Sequence, residues 1–122
     1  MLSDFSKNIS SSVQLEIDLA ATSRGLGNYD AEFGHLENAH VLGQESTYWH
    51  VKVHVLMAFW AVRNKQPKEL LGQLFRIVGA GTKTVFGFVP QGNTGGANVS
   101  PFKPMPINPK HQAIISNAKS GV

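Results

Sequence analysis

The sequence contains no cysteine, and this absence removes a large part of protein chemistry from consideration. Disulfides, thiolate zinc sites, iron–sulfur clusters and cysteine nucleophiles all require a thiol. Any metal ion held by this chain must therefore be bound through nitrogen and oxygen ligands, which suit zinc, copper, nickel or iron when the nitrogens are imidazoles.

Charge is also scarce, since charged residues make up 16% of the 122 residues, whereas about a quarter is usual. A surface so poor in charge predicts a homo-oligomer or a protein partner that covers part of it. The net charge is +3, but the basic residues are scattered singly, which argues against nucleic acid as a partner.

Long hydrophobic runs and targeting segments are missing as well. The longest apolar stretch, residues 51–62, contains His54 and is much shorter than the roughly 20 residues of a membrane span. The first residues lack the basic and apolar regions of a secretory signal. We therefore expect no membrane span and a cytoplasmic location.

The apolar residues that are present recur three and four positions apart, as in Phe5, Ile9, Val13 and Ile17, and this spacing predicts α-helix. We expect one all-α domain over residues 1–122, a small bundle of about four helices built from αα-hairpins. A long Gly/Pro-rich loop and a short C-terminal helix follow. The predicted ranges are helices at about 4–24, 29–42, 47–64 and 67–84, a loop at 87–107 and a short helix at 108–119.

Polar residues at the predicted helix starts support these ranges, because Ser3 or Asp4, Asn28, Ser46 and Asn108 are good N-caps. The first two helices, with GNYDA at 27–31 between them and Ala39 near the end of the second, locally resemble a tetratricopeptide-type hairpin. No second copy follows at the 34-residue period, so a repeat array is not predicted.

A histidine cluster is the feature that points to chemistry. Glu37 and His40 are three residues apart on the second predicted helix, and His50 and His54 are four apart on the third. Such spacings place side chains on one helix face within reach of a shared ion. His40 and His50 are equidistant from a turn near Glu45, so an antiparallel hairpin brings all four together.

Other interpretations of the cluster remain open at this point. The histidines could form a structural hydrogen-bond network, or His40 or His54 could act as a general base without metal. A ferritin-like di-iron site is less favoured, because it needs a second Glu-x-x-His step and further carboxylates on other helices. On the other predicted helices, the acidic residues Glu16, Asp18 and Glu69 are not followed by histidine three positions later. His35 and His111 are expected to lie outside the cluster.

The glycine-rich segment Gly92, Asn93, Thr94, Gly95 and Gly96 is a second candidate binding element. Its backbone amides could bind an anion or cofactor, although it lacks the lysine of a nucleotide-binding P-loop. The other interpretation is a loop packed over the body of the protein.

Four strings resemble a bacterial domain-of-unknown-function family, number 3703: ENAHVLGQ at 37–44, HVKVH at 50–54, FGFVPQGNTGGANVS at 86–100 and PMPI at 104–107. The resemblance implies a bacterial, helical, single-domain protein in which the histidines and the glycine segment form one motif set. It implies no activity. Our leading hypothesis is a transition-metal site of His40, His50 and His54, with Glu37 as ligand or orienting group and residues 92–100 folded over it. The alternative is a protein–protein interaction module with structural histidines, and whether the chain is an enzyme is left open.

Overall fold

The computed structural model describes residues 3–83, 92–97, 99 and 103–121. Over these residues the chain is helical, and the prediction of an all-α bundle is confirmed. The helices are α1 (Asp4–Gly25), α2 (Tyr29–Gly43), α3 (Thr47–Arg63), α4 (Pro67–Lys83) and α5 (Pro109–Ser120). Of the predicted loop at 87–107, residues 87–91, 98 and 100–102 lie outside the described residues, as does position 84 at the predicted end of the fourth helix.

Side-chain caps start four of the five helices. Ser3, Asn28, Ser46 and Asn108 each accept a hydrogen bond from a backbone N–H in the first turn that follows. Such a bond satisfies a donor that has no partner inside the helix. These bonds fix the residues at which α1, α2, α3 and α5 begin. The connections between the first four helices are short, and α2, α3 and α4 each pack against the helix before it.

The hydrophobic core joins α1, α2, α3 and α5. Ile9 and Val13 of α1 and Val53 and Met57 of α3 have no exposed surface, and Leu42 of α2 is 2% exposed. α5 adds Ile115 and Ala118 to the same cluster. Among the described residues, α4 contributes no side chain to this cluster, and α3 is the one helix with which it packs.

Two polar contacts fix the helices around that core. Arg63 near the end of α3 donates to both carboxylate oxygens of Glu32, at 3.1 and 2.7 Å, and Glu32 is 2% exposed. Trp49 donates its indole N–H to the backbone oxygen of Ser6 at 3.0 Å. Bidentate and buried pairs of this kind hold a defined geometry, so they set how α2 and α3 lie beside each other and α1.

Within the described residues, none of the helices combines the length and the apolar content that crossing a lipid bilayer requires.

Candidate metal centre

The turn between α2 and α3 brings three histidines together. His40 lies in the last turn of α2 and His50 in the first turn of α3, with His54 one turn further along. The ring centroid of His40 is 4.8 Å from that of His50 and 4.7 Å from that of His54, and His50 and His54 are 4.9 Å apart. The predicted convergence of the three histidines across the α2–α3 hairpin is therefore confirmed.

The three rings are buried and present nitrogens to a common point. His40, His50 and His54 are 3%, 8% and 2% exposed. One ring nitrogen from each lies within 4.8 Å of the other two. A group of three imidazole nitrogens of this kind could hold a metal ion.

Outward-facing hydrogen bonds orient two of the rings. Nδ1 of His40 lies 2.6 Å from the backbone oxygen of Asn93, and Nδ1 of His54 lies 2.6 Å from Oε1 of Gln73. Both acceptors are oxygens, so both Nδ1 atoms carry the proton and donate. The Nε2 atoms of the two rings then face each other, 3.1 Å apart.

The orientation of the Gln73 amide is itself determined by its surroundings. Its Nε2 donates to Oε2 of Glu69 at 2.7 Å and to the backbone oxygen of Gly95 at 2.9 Å. Both are acceptors, so the amide nitrogen must face them and the amide oxygen must face His54. Gln73 has no exposed surface, and water therefore does not compete for these bonds.

The glycine segment lies against the ring of His40. Gly95 has φ +86°, and a Cβ at this position would lie 2.6 Å from Cδ2 of the His40 ring. Only glycine accepts both the left-handed backbone and the close approach. The amide oxygen of Asn93 accepts the N–H of Gly95 at 2.9 Å, and the Asn93 amide donates to the Lys103 backbone oxygen at 2.8 Å.

Residues of α4 bind the backbone that directly follows the glycine segment. The backbone N–H of Ala97 donates to Oε2 of Glu69 at 2.9 Å, and Arg76 donates to the backbone oxygen of Val99. The segment is thus bound both to His40 and to the helix that supplies Gln73. These contacts use backbone carbonyls and the N–H groups of Gly95 and Ala97, which donate to the side chains of Asn93 and Glu69. Binding of an anion or cofactor by the glycine segment stays a prediction.

Burial disfavours the protonated forms of His40 and His54. It lowers the pKa of His40 well below its ordinary value, and the neighbouring His54 and His50 lower it further. Burial also lowers the pKa of His54 to about 4, although the bond to Gln73 acts in the opposite direction. Both rings are therefore neutral at pH 7, which is the form that binds metals.

The remaining candidates lie outside the three-histidine group. Glu37 is half-buried; burial raises its pKa, nearby Glu69 raises it further, and a hydrogen bond with the Thr94 side chain opposes the shift. Its carboxylate is not among the grouped ligand atoms. Nδ1 of His35 lies 3.1 Å from a carboxylate oxygen of Glu16 on α1, away from the cluster.

Gln73, which orients His54, is the residue of the site that was not predicted from the sequence. Its signal is the polar spacing Glu69, Gln73 and Arg76 on α4, four and three residues apart. That spacing defines one helix face. The apolar stripe on the opposite face of α4 is easier to recognise in the sequence than this polar face.

Comparison with known proteins adds a family and no activity. A family model described as "Protein of unknown function (DUF3703)" matches residues 7–115. The match includes all three histidines, Gln73 and the glycine segment. No curated protein and no solved structure matches the chain.

Proposed function

The chain belongs to the family of proteins of unknown function DUF3703, and we propose that it binds one transition-metal ion through His40, His50 and His54. The ligand atoms from His40 and His54 are their Nε2 nitrogens, and His50 supplies one ring nitrogen. The proposal concerns metal binding alone and assigns no reaction.

The observation that carries this proposal is the pair of opposed Nε2 atoms. Because the Nδ1 atoms of His40 and His54 donate to oxygens, both Nε2 atoms present lone pairs, 3.1 Å apart. Two lone pairs at that distance repel unless a positive species lies between them. A proton is one candidate, but burial lowers both pKa values, so a metal ion is the better one at neutral pH.

The distances between the histidine nitrogens are close to those expected around a bound metal ion. Two nitrogens that each lie 2.0–2.1 Å from a tetrahedral zinc ion are about 3.3–3.4 Å apart. The His40–His54 separation is 3.1 Å, and the His50 nitrogen lies within 4.8 Å of both. Small rotations of the rings would complete a three-nitrogen set.

The partners of the two Nδ1 atoms are those expected around a metal-binding imidazole. Histidine ligands usually donate their second N–H to a carbonyl or carboxylate, which fixes the ring and strengthens the ligating nitrogen. Asn93 and Gln73 supply such acceptors here. Glu37 stays a proposed orienting group, and its carboxyl group makes a hydrogen bond with the side chain of Thr94 in the glycine segment.

The donor set restricts the metal class. Imidazole nitrogens without thiolates suit zinc, copper, nickel and iron, and they do not suit magnesium or calcium. Three protein ligands leave a fourth position for water or another ligand.

The test is the metal content of untagged protein purified without chelator, measured by elemental analysis. We expect about one transition-metal ion per chain in the wild type and none in His50→Ala. His35→Ala is the matched control, because His35 lies outside the group, and it should retain the metal. Circular dichroism verifies that each variant is folded. If the wild type stays empty after loading with zinc, copper, nickel and ferrous iron, the metal proposal is wrong.

The alternative is an interaction module in which the histidines form a structural network. It is favoured by one observation, the exposed apolar face of α4, where Phe75 is 82% exposed. In that case His50→Ala changes the stability of the protein, and no metal is found in either form.

A further inference from the structure

α4 is amphipathic with its apolar side turned outward. Leu71, Leu74, Phe75 and Val78 are 70%, 51%, 82% and 71% exposed. They follow the spacing i, i+3, i+4 and i+7, which defines a single stripe along a helix. We refer to these four residues as the outer stripe.

The polar side of α4 explains why this stripe does not face the core. Gln73 has no exposed surface, and it holds His54 and the backbone of Gly95. Glu69 and Arg76, on the same face, bond to the backbone of Ala97 and Val99. Because these bonds require the polar face to point inward, rotation of α4 to bury the outer stripe would break all of them.

The stripe is large for a protein of this size. Its exposed apolar surface is on the order of 500 Å², at the upper end of the largest patch found on typical monomers. α3, the helix that packs against α4, exposes Phe59 and Val62 in addition, at 58% and 57%. Apolar surface of this extent is usually covered by a partner.

We propose that the outer stripe is the contact surface of a homodimer, in which α4 packs antiparallel against α4 of a second copy across a two-fold axis. This inference uses residues other than the three histidines. It holds or fails separately from the proposed metal site.

The positions of the stripe fit a two-fold axis. Positions 71, 74, 75 and 78 are symmetric about the midpoint between 74 and 75. A two-fold axis at that point places Leu71 opposite Val78 of the second copy, and Leu74 opposite Phe75 of the second copy. A two-fold interface requires this self-complementarity.

The described charged groups of α4 do not oppose the pairing. Lys68 is the exposed charged residue one turn before the stripe, and the two-fold axis places it beside Gly81 of the second copy. That position is near the C-terminal end of the facing helix, where backbone carbonyls favour a cation. The charged groups at 69 and 76 are held by the chain itself, and the stripe carries no charge of its own.

The area also meets the requirement of a dimer. Burial of the stripe on both copies removes about 1,000 Å² in total, which is the lower limit for a specific interface. Any contribution from Phe59 and Val62 raises that figure toward the standard size.

Sedimentation velocity at increasing concentration tests the proposal, with chelator present to exclude association through bridging metal. We expect wild type to dimerise and Phe75→Glu to be monomeric, with a dissociation constant raised about 100-fold or more, because a carboxylate would be buried without a partner. Leu15→Glu is the control: Leu15 is 60% exposed on α1, and its substitution should leave the dimer intact.

A charge pair tests the antiparallel register. Leu71→Lys alone should weaken the dimer, whereas Leu71→Lys combined with Val78→Glu should restore it, since each lysine would face a glutamate of the second copy. The chain has no cysteine, so Leu74→Cys should form a disulfide-linked dimer on oxidation and Leu15→Cys should not.

Three results would overturn the proposal. The wild type could remain monomeric at about 100 µM, or the Phe75→Glu variant could dimerise as strongly as the wild type. A monomer that cosediments with phosphatidylcholine vesicles would instead assign the stripe to a membrane surface.

Discussion

The α1–α2 and α3–α4 helix pairs are both hairpins, but the groups buried between the two helices differ in chemistry. α1 and α2 meet through aliphatic side chains, with Ile9 and Val13 on one side and Leu36 and Ala39 on the other, all at most 2% exposed. α3 and α4 meet through a buried hydrogen bond between His54 and Gln73. Apolar spacing therefore identifies the buried face in the first pair, while polar bonding determines it in the second.

With the metal site as proposed, the two hairpins would serve different purposes. An aliphatic interface tolerates substitution of one apolar group by another of similar volume. A buried polar network does not, because each unsatisfied group costs free energy. The first hairpin is thus expected to serve stability, and the second to serve the histidine cluster.

The largest effect on folding is expected in the aliphatic hairpin. Ile9→Ala should lower the free energy of unfolding by about 2–4 kcal/mol, because Ile9 is fully buried and its truncation leaves a cavity. Leu15→Ala, at a 60% exposed position on the same helix, should change it by less than about 0.5 kcal/mol. Urea unfolding measures both. Equal effects would show that α1 does not pack as described.

Acid should act on the polar hairpin. In metal-free protein, His54 has a pKa of about 4 when folded and about 6.5 when unfolded. The unfolded chain therefore binds more protons between these values, and stability falls as the pH decreases from 6.5 to 4, by roughly 3 kcal/mol from this ring. Above pH 6.5 the contribution is constant.

The variant His54→Gln separates this effect from the protonation of carboxylates in the same range. Its urea midpoint should depend less steeply on pH between 6.5 and 4 than that of the wild type. An unchanged slope would mean that His54 is not buried in its neutral form.

A methyl group at position 95 should disrupt the contact between the glycine segment and His40. Gly95→Ala introduces a Cβ that would lie 2.6 Å from the ring, on a backbone with φ +86°. We expect zinc affinity to fall about 100-fold, as with other groups that orient a ligand. Isothermal titration calorimetry measures it. Gly34→Ala is the control, since a Cβ there meets nothing within 4 Å, and retention of full affinity by Gly95→Ala would contradict the contact.

The smallest effect is expected from Gln73, which contacts the proposed site through one hydrogen bond to the outer nitrogen of His54. Gln73→Ala removes the acceptor of His54 Nδ1 and should lower zinc affinity about 10-fold while the three ligands remain. Gln112→Ala, on the exposed face of α5, should leave the affinity unchanged. A loss of all metal from Gln73→Ala in folded protein would show that Gln73 does more than orient the ring.

Local features of this protein could be predicted because their causes are local. The caps at Asn28 and Ser46 depend on a side chain and a backbone N–H a few residues apart. The meeting of His40 and His50 depends on equal distances from one turn, and the structure places their rings 4.8 Å apart. Helical spacing and a short connection are enough for both.

Contacts across the chain could not be predicted in the same way. Asn93 is recognisable as part of a glycine-rich segment, but its backbone oxygen meets His40 across 53 positions. An apolar stripe on a helix usually faces a core, whereas the structure exposes all four residues of the stripe on α4, Leu71, Leu74, Phe75 and Val78. Periodicity identifies the two faces of a helix and does not state which one is buried.

The amino-acid sequence by itself determined the helical fold class, the helix starts and the presence of three histidines at metal-ligand spacing, because each depends on residues within one turn or one hairpin. Only the tertiary structure decided that Gln73 and Asn93 hold the rings, that Gly95 lies against His40 and that α4 turns its apolar stripe outward. Those outcomes depend on competition between burial of apolar surface and satisfaction of buried polar groups, which is settled when all the helices pack together.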